Sequence, residues 1–178
     1  DAQGGSYAAL QVRVEADAPV YIYSTGNVNI YGVKLEEVIE PTPLPAGTRV
    51  TFDAGYNADT EMGTTFTETT VFDDYTVVYA NEDATVEIND RSREVNGYEY
   101  TTAIRLSNAA LSGVVPTARA ISVTPAVAET LTVDFLHPGS DGTRTLTIVQ
   151  NDAVLITLSV EVSESATATA QVAAGEPV

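Results

Sequence analysis

The chain has 178 residues, 44% of them apolar, no cysteine and a formal charge of -17. That length suits one domain able to bury a real core, and the missing thiols exclude a disulfide framework or a Cys-based metal or redox site. One lysine and seven arginines against 25 acids exclude a phosphate-binding basic face, so neither nucleic acid nor an anionic membrane surface is an expected partner.

No run approaches the ~18–20 uninterrupted apolar residues of a membrane helix, and membrane insertion is not expected. The chain opens on Asp1, and its one methionine is Met62. A processed export product opens this way, as does a trimmed boundary. The expectation carried forward is a secreted protein, extracellular or on the cell surface.

Strand signals run the length of the chain: Val, Thr, Ile and Tyr in short alternating runs, bounded by Gly, Pro, Asn and Asp. In order they fall at 7–15, 20–23, 27–35, 48–53, 75–79, 85–88, 98–106, 118–123, 130–136, 143–150, 154–162 and 167–172. No remaining segment holds a 3.6-residue apolar period. The expected fold is all-β, an antiparallel β-sandwich or jelly roll. Alternation sorts the faces. Leu131, Val133 and Phe135 share one face, and Leu146 and Ile148 share another. The turn-rich stretch 137–142 between these two runs predicts a hairpin.

Residues 36–47 break the pattern with Pro41, Pro43 and Pro45. Such a segment is extended and stiff. It divides the chain into an N-terminal strand pair over 1–36, a proline-rich linker over 37–47 and a sandwich body over 48–178. A faint repeat spans the two ends. Aligned on Pro19-Val20 and Pro177-Val178, residues 7–20 and 165–178 also share Ala8 with Ala166, Val14 with Val172 and Ala16 with Ala174. After Val20 the chain continues Tyr21-Ile22-Tyr23-Ser24-Thr25-Gly26-Asn27-Val28-Asn29-Ile30-Tyr31-Gly32-Val33.

That continuation resembles the closing hairpin of a β-sandwich module appended to bacterial pectate lyases and related secreted polysaccharide-active proteins. Residues 96–106, 119–123, 131–135, 143–148 and 170–178 resemble other strands of the module, in order. The resemblance implies a non-catalytic sandwich, in some members carbohydrate-binding. In the family the hairpin closes the module; here it precedes the body. The body therefore looks two strands short, and a sandwich with missing strands exposes unpaired edge groups. The hairpin can fold back into its own body, insert into a neighbouring copy, or be left over from the preceding unit of a tandem array. The stiff linker favours the neighbouring copy, a head-to-tail contact that propagates.

Candidate chemistry is sparse. His137 is the single histidine, without a nucleophile motif around it, and no phosphate-loop, dinucleotide or metalloprotease signature occurs. The chain is not expected to be an enzyme or to need a cofactor. Calcium is the one ion its acids suit, with Asp73, Asp74, Glu82 and Asp83 at strand edges as ligands. For sugar stacking, Tyr21 and Tyr23 share a face, as do Tyr98 and Tyr100. The expected function is structural: self-assembly by strand complementation into a filament or surface layer, with other copies of the chain as partners. The donor residues are Tyr21, Ile22, Tyr23, Val28, Ile30, Tyr31, Val33 and Leu35. The alternative is a carbohydrate-binding module with a polysaccharide partner and the two Tyr pairs as its platform.

Overall fold

The structure, a computed structural model, describes residues 25, 41–56 and 61–178. The chain divides into two compact units, Asp1–Glu37 and Val38–Val178, and the architecture below is that of the second. The expected donor residues, and the runs at 7–15, 20–23 and 27–35, lie outside the described residues. Among the described residues there is no helix long and apolar enough to cross a membrane.

The fold is all-β and antiparallel, as expected. Its strands are β1 (Thr65–Phe66), β2 (Thr70–Val71), β3 (Thr76–Tyr79), β4 (Val86–Val95), β5 (Tyr98–Arg105), β6 (Ala110–Ser112), β7 (Val115–Ala118), β8 (Ala120–Val123), β9 (Glu129–Leu136), β10 (Arg144–Gln150), β11 (Ala153–Val160) and β12 (Ser165–Val172). They pair as β1-β4-β5, β2-β3-β8, β6-β7, β12-β9 and β10-β11.

These sheets enclose two apolar clusters. The first joins Phe66, Val86, Ile88 and Ile104 of the β1-β4-β5 sheet to Val78 and Ile121 of the β2-β3-β8 sheet, with Phe52, Phe72 and Ala80 filling between. Ile88 and Val78 are fully buried, and each such side chain contributes about 1.5–3 kcal/mol. The second sets Leu131, Val133, Phe135, Ala168 and Ala170 of β9 and β12 against Leu146, Ile148, Ile156 and Leu158 of β10 and β11. Alternation assigned Leu131, Val133, Phe135, Leu146 and Ile148 to dry faces, and all five meet here. The pairing is large on small: Val133 sits opposite Ala168 and Leu131 opposite Ala170, which leaves room for the facing sheet.

Two-residue turns close two hairpins. Asn96 and Gly97 join β4 to β5 with φ of 51° and 75°, and Asn151 and Asp152 join β10 to β11 with φ of 53° and 58°. Two left-handed residues in succession match the twist of the strands they connect. The β4–β5 ladder slips between Asp90 and Arg93, so Arg91 and Ser92 stand against Thr101 alone, and β4 bulges there.

Two expectations are corrected. Residues 130–136 and 143–150 do not form a hairpin: β9 pairs with β12, and β10 with β11. The connection between them folds around His137, which is 1% exposed. Its Nδ1 accepts the Gly139 N–H at 2.9 Å, and its Nε2 lies 3.1 and 3.0 Å from the carbonyls of Asp141 and Gly142. The tautomer with the proton on Nε2 satisfies all three contacts. Nor are residues 48–53 a strand. They cross β5 as a strap held by side chains. The Phe52 carbonyl accepts the Thr102 hydroxyl, and the Asp53 carboxylate accepts the Thr101 N–H at 2.7 Å and the Tyr98 hydroxyl at 3.2 Å.

The proline-rich stretch is hydrogen-bonded to the body from residue 42. Thr42 donates to the Asp74 carbonyl and Leu44 to the Thr124 carbonyl, both at 2.7 Å, and Leu44 accepts the Ala126 N–H at 2.9 Å. Pro41, Pro43 and Pro45 have no N–H, so donors occur only at the alternate residues, which are bonded inward. The outward side offers another strand no donor, a common way to blunt an edge.

Candidate functional site

Two places carry the candidate chemistry: the outer edge of β8 and the tyrosines of β5. Strand β8 ends its sheet among the described residues. On one side it pairs with β3, Ser122 opposite Val77 and Ile121 opposite Val78. On the other side Val123 exchanges both main-chain bonds with Val178, at 3.0 and 2.9 Å. Such an exchange is the hydrogen-bonded pair of an antiparallel ladder. Main-chain groups of alternate residues project the same way, so Ile121 presents its N–H and C=O on the side where Val178 lies. A strand prolonging the ladder beyond Val178 runs opposite Ser122, Ile121 and Ala120 in turn.

The segment that starts this ladder is held firmly. Gln150, 5% exposed, donates to the carbonyls of Ala173 and Glu176 at 3.0 and 2.9 Å and accepts the Ala173 N–H at 2.7 Å. Gly175 donates to the Pro125 carbonyl at 2.8 Å. One buried amide thus spends three of its hydrogen bonds on fixing residues 173–176. Gln150 was not singled out from the sequence, because a lone Gln at a strand end carries no motif.

Tyr98 and Tyr100 do share a face, with ring centroids 4.5 Å apart, but their planes are tilted by 51°. The Arg49 guanidinium lies 4.5 Å over the Tyr98 ring and donates to the Tyr100 hydroxyl at 2.9 Å. Tyr100 in turn donates to Asp134 at 2.6 Å, and Thr167 donates to the other carboxylate oxygen at 2.7 Å. Burial first, then the bond and charge of Asp134, push the Tyr100 phenol up to about 12. The pair is one end of a polar network that ties β5 and the 48–53 strap to β9 and β12. A flat platform for a sugar ring needs an unobstructed face, and the Tyr98 face carries Arg49. Asp134 and Arg49 are the residues the sequence did not flag. They lie 85 positions apart, and nothing local links them.

Asp73 and Asp74 fall in the turn between β2 and β3, and Glu82 and Asp83 in the turn before β4. Asp73 accepts the N–H groups of Tyr75 and Thr76 at 3.2 and 2.7 Å and the Tyr56 hydroxyl at 3.3 Å, so its carboxylate organises the turn. Among the described residues no three His, Asp or Glu side chains converge as a metal-binding group.

No family model matches the chain, and no curated protein is similar to it.

Proposed function

We propose that this chain is a non-catalytic extracellular structural subunit that joins to other copies by β-strand complementation, building a filament or surface layer. The observation that carries this reading is the Val123–Val178 pair, which opens an antiparallel ladder along β8. The sequence that follows the matching Pro19-Val20 supplies a strand for it. In that register Tyr21 stands opposite Ser122, Ile22 opposite Ile121 and Tyr23 opposite Ala120. Ile121 packs on the first core, so Ile22 beside it points the same way and extends that core. Tyr21 and Tyr23 take the other face. Each main-chain bond adds about 0.5–1.5 kcal/mol net, and burial of Ile22 and its hairpin neighbours adds more.

The prolines support a single pairing route. The 41–45 stretch offers no donor outward, so strand addition is steered away from it. The alternative, carbohydrate binding, rests on the resemblance to modules of polysaccharide-active proteins and on the half-buried Tyr98–Tyr100 pair. The ring tilt and the covering Arg49 weigh against it.

Light scattering of the full chain and of a form lacking residues 1–40 tests the proposal. Large assemblies from the full chain, and a small truncated form that takes up a peptide of residues 18–36 in trans, are the expected results. A full chain that stays monomeric over a wide concentration range contradicts assembly.

A further inference from the structure

A separate feature lies beside the first apolar cluster, where β4, β5 and the step into β8 meet. Thr85, Glu87, Arg105, Ser107 and Arg119 line an open cleft of about 170 Å³. In a chain with charge -17, two of the seven arginines meet here. Arg119 occupies the step between β7 and β8 with φ of 57°, a left-handed conformation that is unfavourable for a side-chain-bearing residue by about 1 kcal/mol. Its N–H is fixed by the Tyr79 carbonyl at 2.7 Å. Its guanidinium donates to the Asn108 carbonyl at 3.3 Å and the Asp83 carbonyl at 3.1 Å, while Nε is buried without an acceptor among the described residues. Among the described residues no carboxylate pairs with it. Two neutral carbonyl oxygens hold the guanidinium in place.

Arg105 reaches Glu87 only at 4.0 Å, with the two side chains 57% and 45% exposed. That is a loose surface contact that a better-placed anion displaces easily. The hydroxyls of Thr85 and Ser107 have no protein partner among the described residues. Two guanidiniums, two unengaged hydroxyls and one carboxylate acceptor therefore converge on one small volume. We propose that this cleft binds a small carboxylate carrying a neighbouring hydroxyl, its carboxylate between Arg105 and Arg119 and its hydroxyl toward Glu87. A planar carboxylate matches the fork of a guanidinium. The strongly negative chain and Glu87 itself disfavour a dianion such as sulfate, because a second negative charge adds repulsion.

The test uses the full chain, labelled with nitrogen-15, and sodium glycolate as the probe. The neutral glycolamide and sodium sulfate at equal ionic strength serve as comparisons. The buried Nε–H of Arg119 and the Nε–H of Arg105 are the reporters. The expected result is a saturable shift of both signals with a dissociation constant on the order of millimolar, none with glycolamide and a weaker response to sulfate. Arg119→Lys keeps the charge and loses the fork, and it weakens binding about tenfold. Arg105→Gln alters an exposed residue whose contact with Glu87 is loose and weakens binding by about as much, which keeps the test decisive if the Arg119 variant fails to fold. No saturable shift, an equal response to glycolamide, tighter binding of sulfate than of glycolate, or undiminished binding in Arg105→Gln overturns the proposal.

Discussion

The Asp53 carboxylate accepts the main-chain N–H of Thr101 at 2.7 Å, at the point where the β4 bulge sets two residues, Arg91 and Ser92, against Thr101. The same carboxylate takes the Thr101 and Tyr98 hydroxyls, both at 3.2 Å. A strap from outside the sheet thus bonds the free edge of its longest hairpin opposite the bulge. Asp53→Ala removes a charged acceptor shared by three donors and is expected to destabilise the chain by about 1–3 kcal/mol. Urea unfolding reads this as a lower midpoint at unchanged slope.

Tyr100 sets an alkaline limit. Its phenol ordinarily ionises near 10 and is pushed up to about 12 in the fold, by burial and then by the bond to Asp134. Between those values the unfolded chain loses the proton while the folded chain keeps it. The stabilisation is therefore complete below about pH 10 and declines as pH rises toward 12. Tyr100→Phe removes this contribution, so the stability gap between wild type and variant narrows over that interval. Denaturant titrations at a series of alkaline pH values measure the gap, and a gap that stays constant rejects the assignment.

Thr76 is fully buried, and its hydroxyl has no partner among the described residues. Valine has nearly the same shape without the oxygen. Thr76→Val is expected to raise stability by about 1 kcal/mol, since burying an unsatisfied hydroxyl is unfavourable. A raised melting temperature confirms this; a lowered one contradicts it.

Gly139 lies against the buried imidazole. A Cβ there would stand 2.8 Å from Cε1 of His137, and that ring is fixed by three main-chain contacts. Gly139→Ala is expected to lower stability by about 1–3 kcal/mol, the range for overpacking a closed site. Ser140→Ala, one position on at an exposed site, is the control and leaves the melting temperature unchanged.

Period-two alternation was enough to place Leu131, Val133, Phe135, Leu146 and Ile148 on dry faces and Tyr98 with Tyr100 on a shared one. It failed where strands are too short to alternate, as in β1 and β2 with two residues each. It also failed in the outer half of β4, where Asn89–Glu94 is polar throughout and the strand is held by its ladder to β5. The proposed hairpin of 130–136 with 143–150 rested on adjacency in sequence. The structure instead gives β10 the two-residue turn to β11 and leaves β9 to the small Ala168 and Ala170 of β12. Residues 48–53 alternate like a strand, yet their polar partners are side chains of β5, a long-range choice invisible to local pattern. The Asp134–Tyr100–Arg49 network and the Gln150 clamp escaped for the same reason.

The chain has no cysteine, so a pair of introduced cysteines reports one contact alone. In the proposed register Ile22 stands directly opposite Ile121, at the ~5.5 Å Cα separation that a disulfide spans. The variant carrying both Ile22→Cys and Ile121→Cys, oxidised at high protein concentration and run on a denaturing gel without reductant, is the most direct test of strand complementation between copies. The account predicts a ladder of covalent multimers that collapses to a single band on reduction and is absent from either single variant. A cross-linked species that stays monomeric places the strand in its own body and contradicts assembly, and no cross-link at all contradicts the β8 edge as the acceptor.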